Sequence, residues 1–199
     1  MFKMDNTKDY IIEEAFKLFL NHSYEAVSIN DISQAIGFTK GALYHHFKNK
    51  EELFKEVIDK YLYIPGVNVE VDTISFYEFI QLSMAEADKI IKSIFNNNLT
   101  FTPINYFSLF IDAFRHYPGY AKAKESYINT ELEKTKIILE NAIKSGEIRN
   151  DIDPSLMATH YFSMNMGLAG NLLTSNSVDD AVKLMKKQSL EFYKLLKKQ

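Results

Sequence analysis

The chain has 199 residues, of which 46% are hydrophobic and 25% charged, and 23 Lys and Arg stand against 26 Asp and Glu for a net charge of −3. That length buries a proper core in one or two domains, and the lack of cysteine excludes disulfides, thiolate metal sites and Cys nucleophiles. The acidic balance means that any surface for a polyanion must be local.

No apolar run approaches the ~18 residues that span a bilayer. The opening MFKMDNTKDY lacks the apolar stretch of a secretory signal, so the expected location is the cytoplasm. Seven Gly, four Pro and no alternating strand runs predict an all-α chain.

Residues 5–21 read as a first helix, capped by Asn6 or Thr7. Its apolar stripe is Ile11, Ile12, Ala15, Phe16, Phe19 and Leu20. The stretch from Ser28 to Phe54, SINDISQAIGFTKGALYHHFKNKEELF, then holds three helix starts. Ser28 with Asp31 forms a capping box. Ile29, Ile32 and Ile36 share one face, and Gly37 is a C-terminal signal. Thr39 caps a second short helix in which Leu43 and Phe47 point inward and Lys40, Tyr44, His45 and His46 point out. Asn49 with Glu52 opens a fourth helix, 50–64. Helix, glycine turn and short second helix describe a helix-turn-helix, whose second helix enters the major groove of DNA. From Ser33 to Lys50 there is no acid, but there are Lys40, Lys48, Lys50, His45 and His46. An acid-free run in an acidic chain suits a surface that faces phosphates.

The fourth helix carries Leu53, Phe54, Val57, Ile58, Tyr61 and Leu62, a stripe wide enough to pack on two neighbours. Pro65-Gly66 stops it, and 67–73 reads as a linker. Ser75 with Glu78 starts a helix to about Phe95, ended by Asn96-Asn97-Asn98. Thr102-Pro103 starts another to His116, and a long one runs from Tyr120 to Lys144, ended at Gly146. Asp153-Pro154 starts a helix to Thr174, and Ser177 with Asp180 caps the last, to Leu196.

The motif SINDISQAIGFTKGALYHHFKNKEELF resembles the signature of the TetR family of bacterial transcriptional regulators. The matching features are the S-I-x-x-I opening, G-F-T-K-G before L-Y-H-H-F, and K-N-K-E-E-L at the end. Ser33 stands where the family often has Ala, and Ser23 precedes Tyr24 where Gly is common. The resemblance covers residues 8–55; beyond them only helical layout and length agree. It implies an N-terminal helix-turn-helix DNA-binding domain, 1–50, a connecting helix, 51–66, and a ligand-binding and dimerisation domain, 67–199. It further implies a homodimer on a pseudo-palindromic duplex operator, most often a repressor that a small molecule releases. Ser28 and Thr39 are expected to meet phosphate from helix starts. Tyr44, His46 and Lys50 match positions that usually hold the DNA backbone. Asn30, Lys40, Gly41 and His45 stand where base edges are read.

Two features of 67–199 bear on ligand and partner. Residues 72–127 are dense in Phe and Tyr, and crowded rings favour apolar pockets with a few polar groups. The candidate ligand residues are Phe76, Phe79, Tyr106, Phe107, Phe110, Phe114, Arg115, His116 and Asn165. The helix 155–173 is apolar on two faces, one bearing Met157, Tyr161, Met164 and Leu168 and the other Phe162, Met166, Ala169 and Leu173. One face meets its own domain and the other needs a partner, as in a four-helix bundle across a two-fold axis. The candidate dimer residues are Met157, Tyr161, Met164 and Leu168 with Val182, Met185 and Phe192 of the last helix. The histidines show no metal-ligand spacing, and no phosphate loop or nucleophile motif appears, so no cofactor, metal or enzyme is expected. An activator, a ligand-independent repressor, and a helical adaptor for a protein or anionic lipid are the alternatives.

Overall fold

The computed structural model describes residues 4–63, 66–95, 102–174 and 177–198. Among the described residues there are nine helices: α1 Met4–Asn21, α2 Ile29–Ile36, α3 Lys40–His46, α4 Lys50–Tyr61, α5 Phe76–Phe95, α6 Pro103–His116, α7 Tyr120–Ser145, α8 Pro154–Thr174 and α9 Val178–Leu196. The β pairing among them is an isolated bridge between Ile148 and Lys197. The chain is all-α, as its composition predicts. The Asn96-Asn97-Asn98 run and Pro65 lie outside the described residues, as does the side chain of Leu168.

Local chemistry sets the helix ends. Ser28, Thr39, Asn49 and Ser177 each accept the N–H three residues on. Ser75 does the same for Glu78, and Asp153 accepts from Ser155 and Leu156. Gly37 closes α2 in the left-handed region at φ 71°.

The chain divides into two compact units. The first is Met1–Ile64 with Thr100–Ala123. Its core holds Ile11, Ala15, Phe19, Ile32, Leu43, Leu53, Phe54 and Val57, each at most 1% exposed. The wide stripe of α4 meets α1 and α6. Tyr61 stacks on Phe16 with ring centroids 3.8 Å apart, and its carbonyl accepts the Tyr106 hydroxyl at 2.9 Å. The sequence boundary at residue 67 placed 103–116 with the later helices. In the structure α6 packs in the first unit, because its Leu109 and Ala113, both fully buried, face α1 and α4.

The second unit is Pro65–Leu99 with Lys124–Gln199. Phe76, Phe79, Ile80, Met84, Ile138, Leu139, Ala158 and Tyr161 form its core, with α9 packed on α5 and α8. The linker is pinned to this unit, with Lys134 donating to the Val67 carbonyl and Asn141 to that of Val71. Glu147 supplies the carboxylate that accepts the first N–H groups of α5, from Phe76 and Tyr77.

Candidate nucleic-acid interface

The α2–turn–α3 motif is rigid for reasons visible atom by atom. The Ser33 hydroxyl donates to the Phe38 carbonyl at 2.5 Å, and the Phe38 N–H returns to the Ser33 carbonyl at 3.1 Å. Leu43 and Phe47, 0% and 1% exposed, dock α3 from behind. This leaves Asn30, Lys40, Gly41, Tyr44 and His45 exposed, with His46 half-buried beside Phe47. Tyr44 is 51% exposed, a large ring held outward by a short helix.

Gly41 shows what the surface is built for. A Cβ added there would meet only Thr39 Oγ1, at 3.9 Å, so nothing in the chain itself requires glycine. The open space faces outward, where a close approach by another backbone or a base edge needs it. Thr39 Oγ1 accepts the Ala42 N–H at 3.2 Å. The N–H groups at the start of α3 are the kind of donors that anions seek.

Ser28 is differently engaged. Its hydroxyl and its N–H both donate to the Asp31 carboxylate, at 2.6 and 2.8 Å, while its oxygen accepts the Asp31 N–H. The hydroxyl hydrogen expected to reach a phosphate is committed to this box. The bond from the Ser28 hydroxyl, followed by that from its N–H, holds the Asp31 carboxyl below its ordinary range.

Lys50 is turned away from the outward face. Its Nζ donates to the carbonyls of Tyr24 and Val27 at 2.8 and 3.0 Å and lies 4.0 Å from the centre of the Tyr24 ring. Desolvation depresses its pKa, against the opposing pull of Glu25. Lys48, read in the sequence only as one charge among several, is exposed beside α3 and joins Lys40 as an outward cation. Its place just past the inward Phe47 is the signal that distinguishes it from Lys50.

The expected ligand residues fall in both units. Phe76 and Phe79 are buried in the second unit's core against Tyr161, and Asn165 donates to the Tyr161 carbonyl. In the first unit Tyr106 bonds the Tyr61 carbonyl, Phe107 is half-buried, and Phe110 packs edge-on against Phe114. Phe114, Arg115 and His116 line a cleft of about 400 Å³ with Tyr24, Glu51 and Tyr117. Burial, and then the hydrogen bond to Asp59, pushes the Tyr117 phenol up to about 12.

The expected dimer residues need a correction of face. Tyr161, Val182 and Met185 are buried, and Met157, Met164 and Phe192 pack against the second unit's own core. The helix α8 must bury one apolar face in its own unit, and this is the face it buries. The outward face carries Leu156, Met166 and Leu173, 43–50% exposed, and α9 adds Leu184 and Leu195.

A short helix held outward on a braced helix-turn-helix, with cations and an open glycine on its free face, defines a DNA-binding-type domain. Residues 11–57 match the family model for bacterial regulatory proteins of the tetR family. Through this domain the chain belongs to the tetR family. It is 44% identical over 55 residues to the HTH-type transcriptional repressor ComR of Escherichia coli K12, a match covering 28% of this chain and 26% of that protein. The chain thus spans about a quarter of the length of the curated relatives it matches. The solved structure of NalD, described as the secondary repressor of the MexAB-OprM multidrug efflux pump in Pseudomonas aeruginosa, covers 98% of this chain and 99% of its own, with a TM-score of 0.65 and 16% identity. A complex of SmeT with triclosan covers 94% and 90% with a TM-score of 0.62 and 16% identity; SmeT is described as repressor of a Stenotrophomonas maltophilia multidrug efflux pump. These likenesses establish the fold.

Proposed function

We propose that the protein is a DNA-binding transcriptional regulator that represses as a homodimer and is released by a small aromatic molecule. The observation that carries the first part is the free face of α3: Lys40, Gly41, Tyr44 and His45 exposed together, without an acid from Ser33 to Lys50, on a motif whose inner face is fully packed. Lys40 and Lys48 supply the sequence-independent attraction to phosphates. Asn30, Lys40 and His45 supply donors and acceptors for base edges, with Gly41 allowing the approach.

The exposed apolar stripe of α8 and α9 supports the homodimer, since an amphipathic pair with a second apolar face buries it against a copy of itself across a two-fold axis. Such a dimer presents two α3 helices to two half-sites about 34–36 Å apart, or a multiple of that. Repression and release by an aromatic effector rest on the named relatives, repressors by description, and on SmeT's complex with triclosan. A ligand shifts such a regulator by its differential affinity for the two spacings.

Fluorescence anisotropy with duplex DNA from upstream of the protein's own gene, against a scrambled duplex at two salt concentrations, tests the reading. Tight, selective binding that weakens with salt is expected. Equal, weak binding to both duplexes at both salts would remove it.

A further inference from the structure

The loop between α1 and α2 sets where the helix-turn-helix begins, and it is held by two charged side chains from other helices. The Tyr24 N–H donates to the carboxylate of Asp112 at 2.8 Å; Asp112 comes from α6 and is only 5% exposed. The carbonyls of Tyr24 and Val27 accept the Lys50 ammonium from α4. The Tyr24 ring is fixed as well. His116 stacks on it at 4.5 Å with a 19° interplanar angle, Lys50 lies 4.0 Å from its centre, and Phe54 packs at 4.6 Å. One step earlier, Asn105 of α6 donates to the Leu20 carbonyl at 2.9 Å. A carboxylate therefore takes the loop's donor and an ammonium takes its acceptors, one residue after Val27 and the α2 N-cap at Ser28.

We propose that Lys50 and Asp112 are positioning residues for the nucleic-acid interface, clamping the main chain of residues 24–27 from two helices, and that the Lys50 ammonium acts through this loop instead of on phosphate. The inference deepens the DNA-binding reading and rests on it. The chemistry favours the loop over phosphate for Lys50. Moving the ammonium to the duplex would strip two partly buried carbonyls of their partner and give up the contact with the Tyr24 ring. Lys40 and Lys48, by contrast, are exposed cations on the free side of the motif.

The test uses the full chain and the variants Lys50→Met, Asp112→Ala, Asp112→Asn and Lys40→Ala. One arm is independent of DNA: amide hydrogen exchange across residues 24–28 of the free protein. Both Lys50→Met and Asp112→Ala are expected to exchange faster there, with α9 unchanged; Asp112→Asn, which keeps an acceptor for the Tyr24 N–H, is expected to restore protection. The other arm is the salt dependence of duplex binding. Each lost phosphate contact lowers the slope of log K against log salt by about 0.9. Lys40→Ala is expected to lower it by that amount per protomer. Lys50→Met is expected to weaken binding about tenfold or more at every salt concentration with its slope unchanged. A Lys50→Met slope that falls as Lys40→Ala does, with loop exchange as in the wild type, would overturn the proposal. So would unchanged exchange in both Lys50→Met and Asp112→Ala. If the wild type binds no duplex selectively, the DNA reading fails on its own, and the exchange arm still decides the clamp.

Discussion

Gly41→Ala separates what the α3 surface does for folding from what it does for binding. Within the chain the new methyl meets nothing closer than Thr39 Oγ1 at 3.9 Å, an ordinary van der Waals contact. Gly41 sits inside α3, Lys40–His46, and its φ is not in the left-handed region, so alanine adopts its backbone without strain. Replacing a helical glycine by alanine stabilises by roughly 0.5–1 kcal/mol, because the unfolded chain loses freedom that the folded one never had. For a chain of this size that raises the melting temperature by about 2–4 °C. Binding should move the other way. If Gly41 is where the duplex comes close, the methyl displaces the contact on both protomers, and a loss of about 1–3 kcal/mol per half-site is the size of one spoiled base contact. The two measurements are a thermal melt followed by circular dichroism and an anisotropy titration against the selected duplex. A variant that melts higher and binds at least tenfold weaker supports the reasoning. A variant that melts higher and binds as tightly as the wild type would show that Gly41 faces no partner, and the assignment of this face would fall with it.

Three further outcomes follow from particular contacts. Leu43→Ala empties the sole buried position of α3, at a cost of about 2–5 kcal/mol in denaturant titrations, and duplex binding is lost before α-helical content is. Met166→Glu acts on the outward face of α8; with about half of this side chain exposed, burial in a dimer supplies about 1 kcal/mol per protomer, so the dimer weakens about 30-fold or more by sedimentation equilibrium, and an unchanged dimer constant would rule out that face. Asp88→Asn tests linkage: the hydrogen bond from Lys186, then that from Lys92, hold the Asp88 carboxyl below its ordinary 3.8, so its contribution is present above that value and fades as pH falls through the folded one. The variant therefore melts a few degrees lower at pH 7, and a gap from wild type that persists at pH 2 would contradict the assignment.

The helix starts were legible in the sequence because they are local. Ser28 with Asp31, Thr39, Asn49 and Ser177 satisfy N–H groups three residues away, and no tertiary partner is needed to know it. The inward and outward faces of α2 and α3 were legible too, since a short helix with one apolar stripe has only one way to lie on a core. The faces of α8 were not. Tyr161 and Met164 on one side and Met166 and Leu173 on the other are equally apolar, and what decides between them is Phe76 on α5, most of a hundred residues upstream. Lys50 failed for a related reason. A lysine beside a basic surface reads as part of it, yet a side chain with four methylenes can turn either way, and here two carbonyls and a ring 26 and 23 residues back draw it in. The same long-range logic moved α6: its Asn105 and Asp112 each find a main-chain partner in residues 20–24, so a helix that its neighbours in sequence would assign to the later domain braces the binding motif instead. Side chains that satisfy their own turn are readable in order along the chain; those that bridge distant turns become readable only when the fold has brought the turns together.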